Sequence, residues 1–214
     1  MKRRLTPEEL QNSDEYELLT EVSHDHLKDF VVEQIMEEKY IIRAYSAYQI
    51  VMMIVFAFFF TRAAVFAFKG FYEPIIGVGL AIAFSFSLLI VFHELFHAAA
   101  YLLTGARKIS FGFVPGKFVF YALADRQVIK AGAFALVALA PFALVKLATL
   151  AGLIIFFQNQ ILLYFFLSVM CLHALFCAGD MAMLAFYNLH RGKEILNFDN
   201  RTEGKTYFYI RKQK

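Results

Sequence analysis

The chain has 214 residues, 60% hydrophobic and 17% aromatic, with 26 Phe and no Trp. Soluble domains are nearer about 45–50% apolar, and here the excess is gathered into long runs, which excludes a single buried soluble core. A formal charge of +3 with dispersed Lys and Arg leaves no footprint for nucleic acid, and two cysteines in one apolar run, Cys171 and Cys177, exclude a disulfide framework.

Residues 1–44 are polar and charged, and read as a cytoplasmic N-terminal helical extension with no cleavable signal sequence. "TPEEL" has the form of a helix start, with Thr6 as N-cap, Pro7 at the first helical position and Glu8 and Glu9 in the first turn. A second helix is expected from Ser23, placing Leu27, Phe30, Val31 and Ile35 on one face. Its opening "SHDH", residues 23–26, reads as a solvated helix start rather than a metal site.

Four runs are long enough for the hydrocarbon core, which needs about 20 apolar residues per helix. They cover roughly 45–68, 75–104, 131–157 and 161–187, and together form a membrane-embedded domain over 45–187. Only "FFQNQ" separates the last two, so they form an antiparallel hairpin. Lys and Arg gather before the first run, between the second and third (Arg107, Lys108, Lys117, Arg126, Lys130) and in the tail, whereas the other side receives Arg62 and Lys69. This asymmetry predicts a multi-pass protein of the cell membrane with both termini cytoplasmic. In the loop, "ISFGFV" and "KFVFYAL" flank Pro115-Gly116 and read as a β-hairpin. In the tail, residues 188–214, "EILNF" and "TYFYIRK" read as another. The expected class is an all-α polytopic membrane protein of about four transmembrane helices, with a small cytoplasmic β-hairpin region.

Within the second run, "HELFH" sets His93 and His97 one turn apart on one helical face, where two imidazoles can share a zinc ion. Glu94 lies about 100° round the helix and reaches a metal-activated water as general base. Ionisable groups at such depth cost at least about 2.5 kcal/mol each, so a dication that stabilises them accounts for their presence. A catalytic zinc needs a third protein ligand and one open position. Asp180, in "AGDMAML", is the other acid inside the predicted helices. Counted back from the ends of their runs, His93–His97 and Asp180 both lie roughly 10–15 Å below the cytoplasmic surface. His173 is the rival ligand, seven residues before Asp180 and about 10 Å along the axis, which suits a supporting or alternative role. Cys177 reads as a packing residue. Ala98–Ala100 and Ala178-Gly179 allow close helix approach, and Pro141 in "ALAPFAL" is positioned to free backbone carbonyls near the metal.

"HELFHAAAYLLTGA", a hairpin-like loop, "LAPFAL", "AGDMAML" and a tail ending "TYFYI" together resemble the small bacterial zincin peptidases of the DUF3267 family, over roughly residues 45–210. More distantly the chain resembles the site-2 protease clan of intramembrane zinc metalloproteases. That resemblance implies His93, His97 and Asp180 as zinc ligands and Glu94 as the activator of water. The clan places glycine after its aspartate and asparagine shortly after its proline. Here Gly179 precedes Asp180 and "PFALVKLA" has no asparagine, so no transition-state stabiliser is assigned. The expected function is a membrane-embedded zinc metallopeptidase acting on a membrane protein or peptide at the cytoplasmic side of the lipid bilayer. The alternatives are a non-enzymatic membrane protein with a structural zinc and a zinc hydrolase acting on a lipid or another amide.

Overall fold

The computed structural model describes residues 5–26, 29–30, 32–33, 37–38, 40–114 and 119–212. It is mostly helical, with a four-stranded and a two-stranded antiparallel sheet. Helix α1 (Pro7–Gln11) opens with the capping box expected at Thr6, whose hydroxyl accepts from Glu9 N while the Glu9 carboxylate accepts from Thr6 N.

Two helices, α2 (Ile41–Phe68) and α5 (Ala131–Ile155), are each long and apolar enough to cross a membrane. Helices α3 (Glu73–Ser85) and α4 (Leu88–Leu103) form a pair bent by 50°, and α6 (Gln160–Phe176) and α7 (Ala178–Leu189) a pair bent by 46°. If each bent pair counts as one span, the total reaches four. The expected runs therefore reappear within a few residues, but two of them are broken. At the first break Ser87 Oγ donates to the Ala83 carbonyl at 2.6 Å, a back-bond that bends helices. At the second, Cys177 ends one helix and precedes the next.

Glycines set the closest helix contacts. A Cβ on Gly77 of α3 would collide with the Ile161 carbonyl of α6, and one on Gly152 of α5 would come within 2.6 Å of the Phe166 ring. The outward faces of the helices carry exposed Ile54, Phe58, Leu80, Leu147 and Ile154.

The N-terminal segment departs from expectation. Tyr16–Ser23 is a strand (β1) and His24–His26 a single 3-10 turn, so the helix expected from Ser23 does not begin there, although residues 29, 30, 32, 33 and 37 are helical. Of the predicted apolar face, Leu27, Val31 and Ile35 lie outside the described residues, while Phe30 is buried against Phe186 and Phe208. β1 pairs antiparallel with β6 (Lys205–Arg211), which pairs with β5 (Ile195–Asn200), which in turn pairs with the short β4 (Ile129–Lys130). β-branched Thr20 and Val22 suit a pleated surface, and β6 supplies the partner edge that no local pattern announces. The tail hairpin is therefore present as expected, but it is the centre of a sheet shared with the N-terminal segment. Val22, Phe186, Ile195, Phe208 and Ile210 form one core, so the sheet lies on α7. The loop hairpin, β2 (Ile109–Val114) with β3 (Val119–Ala124), also forms, running from Ile109↔Ala124 to Val114↔Val119. Its turn at Pro115-Gly116 lies outside the described residues.

Candidate metal centre

His93 and His97, at i and i+4 on α4, are both buried and present Nε2 to a common point. The two Nε2 atoms lie 3.1 Å apart. Asp180, in the first turn of α7, places Oδ2 3.2 Å from His93 Nε2 and Oδ1 3.2 Å from His97 Nε2. Donor atoms on a tetrahedron with bonds of about 2.0–2.1 Å stand about 3.3 Å apart, close to these separations. Asp180 Oδ2 is buried with no hydrogen bond, an orphan that a cation would satisfy.

The outer ring nitrogens are held. His97 Nδ1 lies 3.0 Å from the Val137 carbonyl. A carbonyl only accepts, so Nδ1 carries the proton and the neutral ring turns its Nε2 lone pair to the centre. That carbonyl is available because the residue four positions later is Pro141, which has no N–H to claim it. The proline singled out in the sequence thus frees the atom that fixes a histidine. His93 Nδ1 lies 3.1 Å from His173 Nε2. With His93 turned inward through Nε2, its Nδ1–H donates and His173 accepts.

His173 is wholly buried, and the break at Cys177 falls between it and Asp180. Both its ring nitrogens are 3.7 Å from Cys177 Sγ. Two donor groups therefore share His93: His93, His97 and Asp180, and His93, His173 and Cys177. All three members of the first line a cavity of about 420 Å³ together with Glu94, whereas of the second group His93 lies on that wall and His173 and Cys177 do not. A site that must admit water and substrate is the open one.

Glu94 projects from α4 toward β3, where its Oε2 accepts from Ala122 N at 2.7 Å. The loop hairpin thus lays a strand beside the metal centre. The four-stranded sheet and its flank line the same cavity, through Asp199, Thr206 and His24. His24 is buried, with its ring centroid 5.1 Å from that of Tyr121, and is not the solvated helix start its sequence context suggests. No motif marks these three residues. Strand pairing across more than 180 positions brings them together, and nothing local in the sequence encodes it.

The comparison with known families bears directly on this geometry. Residues 86–191 match the DUF3267 family, described as "Putative zincin peptidase". The matched segment holds the two histidines, Glu94, Pro141, His173 and Asp180. No curated protein and no solved structure matches the chain. Zincins take zinc, and the donor set of two neutral imidazoles and one carboxylate, with room beside it, fits that ion.

Proposed function

We propose that this chain is a membrane-embedded zinc metallopeptidase that cleaves a membrane protein or peptide near the cytoplasmic face. The observation that carries the reading is the convergence of His93 Nε2, His97 Nε2 and the Asp180 carboxylate at 3.1–3.2 Å on the wall of a cavity that also holds Glu94. The family description supports the reaction class.

Zinc held by His93, His97 and Asp180 supplies a Lewis acid that polarises the scissile carbonyl and acidifies water. The rest is done by the chain. Val137 and His173 fix the two imidazoles in the orientation that leaves Nε2 facing the cavity. Glu94 is oriented by the Ala122 N–H, takes the proton from the attacking water and delivers it to the leaving amine. The edge of β3 that carries this N–H runs along the cavity, and a substrate segment unwound from its helix adds to that edge as a strand. The Lys and Arg asymmetry supports four spans, with the sheet, the loop hairpin and both termini on the cytoplasmic side.

A structural zinc in a non-enzymatic protein is the second reading, favoured by the sealed group of His93, His173 and Cys177. Zinc X-ray absorption separates the two, because a sulfur ligand at about 2.3 Å belongs only to the sealed group. For the activity, the membrane proteomes of cells carrying the wild type and Glu94→Gln are compared. The expected result is a protein that accumulates uncut only with the variant, and identical proteomes would overturn the peptidase assignment.

A further inference from the structure

The cavity that holds the candidate metal centre is also lined by polar side chains with no part in the proposed hydrolysis. Strands β5 and β6 set Asp199 opposite Thr206, and both line the cavity. Thr206 Oγ1 donates to Asp199 Oδ1 at 2.6 Å. Its one proton being used, the hydroxyl oxygen accepts from His24 Nε2, 3.2 Å away. Asp199 is 7% exposed, and among the described residues no Lys or Arg pairs with its carboxylate. Burial pushes the Asp199 carboxyl up, to about 6, against the pull of the Thr206 hydrogen bond and with a push from Asp125. Among the described residues this buried carboxyl therefore has no counter-ion. An uncompensated buried charge weakens a fold, so its position on the wall of a site calls for a ligand that completes it. The same cavity is lined by the apolar side chains of Phe120, Leu123, Phe134, Val137 and Met183, with Tyr101 and Tyr121 beside them. A mainly apolar wall that carries a buried carboxylate matches a long aliphatic stem tipped with a cation.

We propose that Asp199, backed by Thr206 and His24, forms a subsite of this cavity that takes a lysine or arginine side chain of the substrate. The assignment rests on the metallopeptidase reading and adds to it a substrate class, a peptide with a basic residue flanking the scissile bond.

The test uses two small hydroxamates, which anchor on zinc and differ only at the tip of one side chain, aminobutyl in one and butyl in the other. Binding to the zinc-loaded full chain in detergent is measured by calorimetry. In the wild type the aminobutyl compound is expected to bind about tenfold or more tightly, the scale of a hydrogen bond to a charged group. In Asp199→Asn that ratio falls to about one, while the butyl compound binds both proteins alike and so reports that the variant is folded. Equal binding of the two compounds to the wild type overturns the subsite by itself, with no variant needed. A preference that survives in Asp199→Asn also overturns it. If neither compound binds the zinc-loaded wild type, the metal-site reading fails and the subsite fails with it.

Discussion

In the helical bundle many large apolar side chains face outward, and the histidines of the candidate site face inward. Phe58, Leu147 and Ile154 are exposed, whereas His93, His97 and His173 are buried, and Lys146 donates to the Met170 carbonyl beneath the Tyr48 ring. The four-stranded sheet has the ordinary arrangement, with Leu196, Phe198 and Phe208 buried and Lys205, Glu21, Arg211 and Glu15 paired at the surface. The difference teaches how the work is divided. The bundle supplies a buried donor set in which the proposed dication and its ligands would be mutually stabilising. The sheet closes that interior and contributes Asp199, Thr206 and His24. Substitutions in the bundle should therefore act on metal and chemistry, and substitutions in the sheet on selection and on response to pH.

The sharpest way to break this division is Glu94→Gln. The amide cannot take a proton from water, but its side chain keeps its size and both histidines stay in place. Hydrolysis should fall by about 10²–10⁴-fold with zinc content unchanged, as judged by metal analysis of the same preparation. Retained activity would remove Glu94 from the mechanism.

Metal retention comes next. Asp180→Ala removes the one anionic donor and should strip most of the zinc, read by competition against a fluorescent chelator. His173→Ala leaves all three donors but frees His93 Nδ1, and should weaken zinc by about 10–100-fold, the usual effect of losing a ligand's hydrogen-bond partner. Pro141→Ala tests the same idea from the backbone. The new N–H competes with His97 for the Val137 carbonyl, and affinity should fall toward the lower end of that range. A lactic acid residue at 141, which has no N–H, should keep it. If His173→Ala loses all zinc while Asp180→Ala keeps it, the sealed group is the metal site.

The bundle was far more legible in the sequence than the sheet. Runs of about 20 apolar residues announce helices by length alone, and an i, i+4 histidine pair needs no tertiary information to share a face. Asp180 stands out as the other acid within the predicted helices, and its depth agrees with that of the histidines because axial rise is regular. The breaks at Phe86-Ser87 and Cys177 were missed because neither contains a proline; a serine back-bond at one and an interrupted helix at the other leave the apolar pattern intact. The β1–β6 pairing was missed for a different reason. "YELLTEVS" mixes Glu and Leu in a pattern that suits a helix as well as a strand, and its partner lies almost the whole chain away. His24, Asp199 and Thr206 became visible as a group only once that pairing existed.

In the sheet, Asp199 gives a prediction in pH. Its carboxyl is held at about 6, above the ordinary 3.8, so between those values the folded state binds more protons than the unfolded one. Stability should be greatest near the lower value, decline as pH rises through the window, and stay level above it. At about 1.36 kcal/mol per pKa unit the whole decline is about 3 kcal/mol. His24, Asp125, Tyr101 and Tyr187 are the neighbouring titratable groups, and comparing wild type with Asp199→Asn at each pH cancels their contribution. Melting temperature should favour the Asn variant at pH 7.5 and not at pH 4. Parallel curves would show that Asp199 does not ionise within this window.

The smallest effect concerns the bundle's own packing and uses two glycines on one helix. Gly77 and Gly79 both lie in α3, where alanine is intrinsically better than glycine by about 1 kcal/mol. At Gly79 an added Cβ meets nothing within 4 Å, so Gly79→Ala should be neutral or slightly stabilising. At Gly77 the Cβ runs into the Ile161 carbonyl, a backbone atom that cannot swing aside as a side chain would. Gly77→Ala should therefore push α3 from α6 and cost about 1–3 kcal/mol, the range for overpacking, despite the same propensity gain. Thermal unfolding in one detergent reads both. The proposed zinc ligands lie on α4 and α7, so Gly77→Ala should lower the melting temperature with metal affinity nearly unchanged. Equal behaviour of the two variants would mean that α3 and α6 are not in the close contact described. A matching loss of zinc in Gly77→Ala would mean that the bend between α3 and α4 transmits packing to His93, and that scaffold and site are not separable within the bundle.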